Sequence, residues 1–196
     1  MKVDKSFLVP TILCLALLVS AAALPSLADG YVPADLGVLE GYTDSYAFAI
    51  NASGQIVGHS YTGGSWSNPD TGRACVWQAG ETTPTALPLI SGYHCSTALD
   101  INASGQILGG CWAEDYYSWW CQWQACIWEY NSVSELWEIT EISPLAGDDG
   151  VYPTKINDAG EVIGQSVNET DWMCPGIFWD GTTTAVTSAD GDPTWT

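Results

Sequence analysis

Apolar and polar residues alternate in three separate stretches of this chain, and each stretch runs through a similar turn sequence. The stretches are INASGQIVG at residues 50–58, INASGQILG at 101–109 and INDAGEVIG at 156–164. Their asparagines, Asn51, Asn102 and Asn157, lie 51 and 55 residues apart. A period of this length is typical of repeat architectures, in which one supersecondary unit packs against the next. The pattern therefore predicts three tandem units.

Each of these stretches predicts a β-hairpin. An asparagine side chain can hydrogen-bond the backbone two residues on, and a glycine three positions later can take the positive-φ position that closes the turn. Two of the asparagines also begin formal glycosylation sequons, but the third unit keeps the turn and loses the sequon, which favours the turn interpretation. The predicted turn residues are Asn51, Gly54, Asn102, Gly105, Asn157 and Gly160.

The alternation before each turn also predicts which residues face the core, since successive side chains of a strand point to opposite faces. Phe48 and Ile50 are expected on the buried side. Ala49, Asp100 and Lys155 are expected to face solvent.

A second apolar segment in each unit ends on a tryptophan. Trp77, Trp128 and Trp179 follow one another at intervals of 51 residues, and this regular spacing places them in the predicted core. Each unit then supplies about four short strands: one before the hairpin, two in the hairpin and one ending at the tryptophan. The strand before the hairpin is expected near residues 35–42 in the first unit and 87–93 in the second.

The predicted fold class is all-β, with three tandem four-stranded antiparallel repeats of about 51 residues. Four strands in a unit of this length are what a propeller blade requires, so the arrangement is expected to be propeller-like and open, partial or fragmentary. A single repeat domain over residues 29–196 would contain units near 36–86, 87–137 and 138–190. Because closed propellers have about four to eight blades, an oligomer or a longer chain is expected to complete the ring.

The sequences DLGVLEG at residues 35–41, AFAIN at 47–51 and GQIVG at 54–58 resemble the HAF repeat of secreted bacterial and archaeal proteins. The likeness extends over most of residues 35–190. The segment that gives the repeat its name departs, because RAC, QAC and PGI stand at residues 73–75, 124–126 and 175–177. The resemblance implies a β-propeller-like, extracellular protein. It implies no activity, and so no catalytic residues.

The first 28 residues predict a secretory signal peptide. Lys2 and Lys5 precede an apolar run over residues 7–24, and a small-x-small site follows at residues 26–28, with cleavage expected before Asp29. A retained membrane anchor is the alternative. The sequence thus predicts a secreted, extracellular or periplasmic protein with no membrane insertion after cleavage.

The charge of the chain disfavours anionic partners. It has 23 acidic and 4 basic residues, a net charge of −19, and only Arg73 and Lys155 remain basic beyond the signal peptide. Nucleic acid and anionic lipid need clustered lysine and arginine, so neither is an expected partner. Solubility outside the cell explains such a charge, and cation binding is the alternative. No calcium-loop repeat is present, and we expect no cofactor and no metal.

Cysteine usage agrees with export. Of seven cysteines one belongs to the signal peptide, and an even number in an oxidising compartment predicts disulfides. Cys111 and Cys121 lie in one connector, where an out-and-back loop can bring them within bridging range, so we predict that they pair. Zinc is the alternative, but the chain has no C-x-x-C and only two histidines.

The connectors between hairpin and tryptophan segment vary while the frame repeats, which is how repeat proteins build binding faces. The connector over residues 110–124 is rich in aromatic residues. We interpret it as a platform for an extracellular glycan or a protein surface. The alternative is that the rings only fill space between units. The predicted ligand-binding residues are Trp112, Tyr116, Tyr117, Trp119, Trp120 and Trp123.

Catalytic constellations are weak in this sequence. Nucleophile elbows, phosphate loops and zinc-protease helices are absent. The alternative to a non-catalytic binding protein is a carbohydrate-active hydrolase that uses a carboxylate pair. The pairs it could use are Glu114–Asp115 and Asp148–Asp149.

Overall fold

The computed structural model describes residues 33–63, 72–113, 123–168 and 174–186. The chain divides into two compact units, Met1–Ala34 and Asp35–Thr196, and every described strand belongs to the second. The predicted signal peptide lies outside the described residues. In the parts that the structure describes there is no helix, and so none of the length and apolar character needed to cross a membrane.

Twelve described strands form three four-stranded sheets in which every neighbouring pair is antiparallel. The first sheet contains β1 (Asp44–Ile50), β2 (Ile56–Tyr61), β3 (Arg73–Trp77) and β4 (Thr85–Ala86). The second contains β5 (Cys95–Ile101), β6 (Ile107–Trp112), β7 (Gln124–Asn131) and β8 (Leu136–Glu141). The third contains β9 (Gly150–Ile156), β10 (Val162–Val167), β11 (Gly176–Trp179) and β12 (Thr183–Ala185). Strands follow chain order within each sheet and no sheet closes into a barrel, which confirms the predicted fold class.

The hairpin turns lie where the sequence predicted them. In the first turn the Asn51 side-chain oxygen accepts hydrogen bonds from the backbone N–H groups of Ser53 (3.2 Å) and Gln55 (3.0 Å). The three turn glycines have positive φ angles of 80°, 87° and 82° at Gly54, Gly105 and Gly160. The asparagine side chain thus accepts hydrogen bonds that a backbone carbonyl would otherwise accept. The glycine takes a left-handed backbone conformation that would be strained in a residue with a Cβ atom.

The fourth strand of each sheet was placed wrongly. Residues 35–42, predicted as a strand before the hairpin, form no strand, and the fourth strand follows the tryptophan instead as β4, β8 or β12. The reason is local: Gly37 and Gly41 have φ angles of 67° and 88°, which a strand does not use. The segment crosses the sheet, and its Leu36 carbonyl accepts a hydrogen bond from the Trp77 indole. The predicted unit boundary at residues 137/138 also falls inside β8.

The three sheets pack face to face in chain order, as neighbouring propeller blades do. Val57 and Val76 of the first sheet pack with Ile101, Ile107 and Trp128 of the second. A second apolar cluster joins the second sheet to the third. We call the side of a sheet that faces the next sheet its forward face, and the opposite side its backward face. Forward-face positions include Val57, Leu108 and Ile163, and backward-face positions include Ile50, Ile101 and Ile156.

This stacking overturns the predicted division into a buried and an exposed face. Phe48 and Ile50, expected in the core, are exposed, and Asp100, expected at the surface, is buried. Ala49 packs against the first core cluster, while Lys155 is exposed as expected. Because the middle sheet has a neighbour on both sides, β5 and β6 are buried on both faces, whereas Ile50 and Ile163 of the outer sheets are exposed.

Each first strand also carries a β-bulge, which changes the direction of its side chains. The bulges fall between Ala47 and Ala49, between Ala98 and Asp100, and between Pro153 and Lys155. Opposite the bulge stands a glycine in each sheet: Gly58, Gly109 and Gly164. A Cβ atom at any of them would overlap a main-chain carbonyl of the bulged strand, so the close approach of the two strands requires glycine.

Candidate functional site

The three variable connectors leave the sheets at one end. β2, β6 and β10 run away from the hairpin turns and end at Tyr61, Trp112 and Val167. We call this end of the sheets the connector end, and the opposite end the turn end. Most described residues of the variable segments, and the aromatic rings beside them, therefore lie far along the strands from the asparagine turns.

Four rings of the first sheet form one cluster towards the connector end, which we call the first-sheet aromatic cluster: Tyr46, Phe48, His59 and Tyr61. The ring centroids of Tyr46 and Phe48 are 4.6 Å apart, and those of Phe48 and His59 are 5.4 Å apart. Tyr61 meets His59 edge-on at 5.4 Å. Tyr46 and Phe48 are exposed, so the cluster presents two apolar rings to solvent beside two half-buried ones.

His59 fixes this cluster to the second sheet. Its Nδ1 lies 2.8 Å from Thr97 Oγ1 across the interface. Burial lowers the pKa of His59 from 6.5 to about 4, because the charged imidazolium loses its hydration there. The ring is therefore neutral near pH 7. It packs against the other rings of the cluster, hydrogen-bonds Thr97 and adds no positive charge.

A second group of rings runs from the second sheet to the third. Trp112 and Trp123 stack at 5.0 Å with an interplanar angle of 11°, and Trp123 meets Tyr152 at 5.2 Å. Trp112 is only 9% exposed, and its indole nitrogen is buried without a hydrogen-bond partner among the described residues. Trp123 and Tyr152 are half-buried. These three rings therefore pack mainly inside the connector end and expose little area at its surface.

The structure brings two of the six predicted binding residues together, Trp112 and Trp123. The other four, Tyr116, Tyr117, Trp119 and Trp120, lie outside the described residues. Trp112 exposes too little of its ring for a ligand to stack on its face. Its predicted binding role stays a prediction.

Sequence reasoning missed the first-sheet aromatic cluster. A signal was present, because Tyr46 and Phe48, like His59 and Tyr61, stand two residues apart on paired strands. That spacing places rings on one face of a hairpin. Phe48 was expected in the core, and it belongs instead to an exposed group of rings.

The described cysteines do not test the predicted pairing of Cys111 with Cys121, because Cys121 lies outside the described residues. No disulfide joins two described cysteines. Cys111 instead lies beside Cys126 on the neighbouring strand, and a hydrogen bond between the two thiols lowers the pKa of Cys111. Burial raises the pKa of Cys126, and it raises that of Cys75 to about 12. The raised pKa values keep the Cys75 and Cys126 thiols protonated, and the thiolate is the reactive form.

Carboxylates from the second and third sheets line one cavity at the turn end. This cavity of about 340 Å³ is lined among others by Glu129, Glu161, Asp180 and Trp179. The predicted pair Asp148–Asp149 lies elsewhere, where Asn168 donates a hydrogen bond of 3.3 Å to Asp148. The other predicted pair, Glu114–Asp115, lies outside the described residues. Within the described ranges, no group of three or more metal-binding side chains is close enough to hold an ion.

Comparison with known proteins assigns no family to this chain. No family model matches the chain, and no curated protein matches it. The resemblance to HAF repeats therefore rests on the residues that carry it and stays a prediction.

Proposed function

We propose that this chain is a non-catalytic, exported binding protein that holds an extracellular partner at its connector end. The observation that carries the proposal is the exposed pair of rings Tyr46 and Phe48, packed at 4.6 Å beside His59 and Tyr61. Aromatic faces that are rigid and partly exposed are typical interaction sites, because they offer a large apolar area at a small cost in conformational entropy.

The charge of the protein narrows the partner to a neutral glycan. With a net charge of −19 the protein repels polyanions, so acidic polysaccharides and nucleic acids are unfavourable ligands. The described part of the connector end offers apolar rings with hydroxyl and imidazole groups at their edges, from Tyr46, Tyr61 and His59. Sugar rings present the complementary surface, with apolar C–H faces and hydroxyl edges.

The test is affinity for soluble polysaccharides, with neutral glucan, mannan and xyloglucan as ligands and alginate as the acidic control. Phe48→Ala and Tyr46→Ala are expected to weaken binding of a neutral glycan by about fivefold each, since a ring contact contributes about 1 kcal/mol. Tyr130→Ala is the matched control, because Tyr130 is equally exposed and packs against Trp137 near the turn end. Equal loss in all three variants, or binding to alginate alone, would contradict the proposal.

The second connector is tested by its own double variant. Replacing Trp119 and Trp120 together by alanine is expected to abolish retention on the same glycan while leaving the melting temperature nearly unchanged. An unfolded double variant would assign these rings to the core. In that case the first-sheet aromatic cluster alone would carry the proposed binding.

A carbohydrate-active hydrolase is the second candidate function. The observation that favours it is the cavity at the turn end, which would hold the active site. Glycosidases hold two carboxyl groups about 5–10 Å apart across a cleft. Glu129 and Glu161 come from different sheets and line one cavity with the Trp179 ring. Release of reducing sugar that is lost in Glu129→Gln and kept in Glu135→Gln would support hydrolysis; no release from any glycan would leave binding as the function.

A further inference from the structure

The two outer faces of the three-sheet stack are counterparts of the faces that pack inside it. Ile50, Ile101 and Ile156 hold the same position, before the turn and on the backward face of successive sheets. Ile101 and Ile156 are covered by the preceding sheet and are 6% and 7% exposed. Among the described residues no sheet precedes that of Ile50, and Ile50 is 64% exposed. The first sheet thus presents, uncovered, a position that is buried wherever a neighbour exists.

The forward face shows the same contrast at the other end. Val57 and Leu108 are fully buried against the following sheet. Their equivalent in the third sheet, Ile163, is 50% exposed. Phe178, on the neighbouring strand, pairs directly with Ile163 and is half-buried. An exposed isoleucine on the forward face of the third sheet therefore matches an exposed isoleucine on the backward face of the first.

The segment that crosses the backward face of the first sheet does not replace a neighbouring sheet. Trp77 donates its indole hydrogen bond to the Leu36 carbonyl, and Trp128 donates in the same way to the Pro88 carbonyl at 2.8 Å. Residues 87–93 do this in the second sheet while that sheet is also covered by the first. The crossing segment is thus part of every interface, and it leaves room for a preceding sheet.

One polar contact recurs at both interfaces between neighbouring sheets, as the apolar contacts do. The Asn51 side-chain amide donates to the Asn102 carbonyl at 3.1 Å, and the Asn102 amide donates to the Asn157 carbonyl at 3.0 Å. Each of these amides uses its second N–H within its own turn, on Gln55 or Gln106. Asn157 makes the turn contact, on Glu161 at 2.6 Å, and the next step of the series would be a carbonyl equivalent to that of Asn51.

We propose that the forward face of the third sheet docks on the backward face of the first sheet of a second copy of this chain. The contact would continue the two sheet-to-sheet interfaces already present, with Ile163 packed near Ile50 and the Asn157 amide donated to the partner's first turn. Head-to-tail contacts form a closed ring when the rotation per unit allows it. Two copies supply six sheets, within the range of about four to eight blades in closed propellers. Two-fold symmetry then makes both contacts identical.

The high negative charge of each copy opposes this contact. Salt screens such repulsion, with a Debye length of about 8 Å at 0.15 M and about 3 Å at 1 M ionic strength. Apolar burial between the two faces does not weaken with salt. The pairing is therefore expected to strengthen as the sodium chloride concentration rises. Ile50, Ile163 and Asn157 do not belong to the first-sheet aromatic cluster, so pairing of copies and glycan binding are tested independently.

The test is the mass of the exported full chain by light scattering and sedimentation velocity, from 1 to 100 μM and in 0.15 and 1 M sodium chloride. We expect a two-copy species that is favoured by salt. Ile50→Arg and Ile163→Arg are each expected to weaken pairing at least tenfold. Both side chains are exposed in the single chain, so its melting temperature serves to show that each variant is folded. Val133→Arg, at a highly exposed position on the loop between β7 and β8, is the matched control and should pair as the unchanged chain does.

Mixing the two variants distinguishes this contact from any symmetric one. A copy with Ile50→Arg keeps its forward face, and a copy with Ile163→Arg keeps its backward face, so an equimolar mixture should recover one interface and form a heterodimer. A single-copy mass at every concentration and salt would overturn the proposal. So would a dimer that survives both substitutions, or a growing series of larger species in place of the two-copy ring.

Discussion

At the scale of single residues, the turn glycines are the positions where the backbone conformation most directly restricts the residue type. Gly54 has a φ angle of 80°, and a Cβ atom added there would approach the Ala79 side chain at 3.1 Å. Ala52, two residues earlier in the same turn, is exposed and has no such constraint. The turn thus requires glycine at position 54 and tolerates other residues at position 52.

We predict that Gly54→Val is far more damaging than Ala52→Val. A β-branched residue at positive φ costs about 1–3 kcal/mol of backbone strain, and here the added side chain also meets Ala79. Melting temperatures of the two variants measure the difference. Equal melting temperatures would contradict the importance of the positive φ angle.

His59 predicts a dependence of stability on pH. Its pKa falls from 6.5 to about 4 on folding, because burial disfavours the charged ring. Between these values the unfolded chain binds a proton that the folded chain does not, so stability is complete above pH 6.5 and falls as the pH drops towards 4. The loss between pH 7 and pH 5 is about 2 kcal/mol.

The measurement is urea unfolding of the unchanged chain and of His59→Gln at both pH values. Glutamine can keep a hydrogen bond to Thr97 and does not titrate, so the variant should lose less stability on acidification. The difference between the two chains isolates the histidine from the many carboxylates, which both chains share. An identical pH dependence would show that His59 is protonated in the folded chain without cost.

At the scale of elements, one buried carboxylate contributes to the link between the second and third sheets. Asp100 Oδ2 accepts the backbone N–H of Ile156 at 3.0 Å, and Asp100 Oδ1 accepts Lys155 Nζ at 3.2 Å. Asp100 is buried, whereas the Lys155 side chain is 61% exposed. The backbone contact therefore matters more than the ion pair.

We predict that Asp100→Ala destabilises the chain by about 1–3 kcal/mol, because the buried N–H of Ile156 loses its acceptor. Lys155→Ala is expected to cost less than about 1 kcal/mol, as exposed ion pairs do. Free energies of unfolding in urea compare the two. A larger loss in Lys155→Ala would mean that the charge pair, and not the backbone contact, joins the sheets.

At the scale of the whole molecule, stacking decides what each face does. The middle sheet has apolar residues on both faces, and its two neighbours bury them in separate clusters. The outer sheets keep one such face each, marked by Ile50 and Ile163. The repeated geometry that builds the core therefore also creates the two surfaces proposed to join copies.

The sequence by itself determined the features that depend on neighbouring residues. The turn at each asparagine, the positive φ of each turn glycine, the all-β class and the burial of Trp77 and Trp128 could all be predicted. Each follows from short-range chemistry: an Asx side chain next to the backbone, a residue without a Cβ, or apolar residues at a fixed period.

Only the tertiary structure decided which faces are covered and which segments pair. Alternation along β1 and β5 does not reveal how many neighbours a sheet has, so Asp100 is buried and Ile50 exposed against expectation. The bulges that redirect side chains, and the pairing of β4, β8 and β12 after each tryptophan, depend on strands far apart in sequence. Burial depends on the number of packed neighbours, and that number is a property of the stack as a whole.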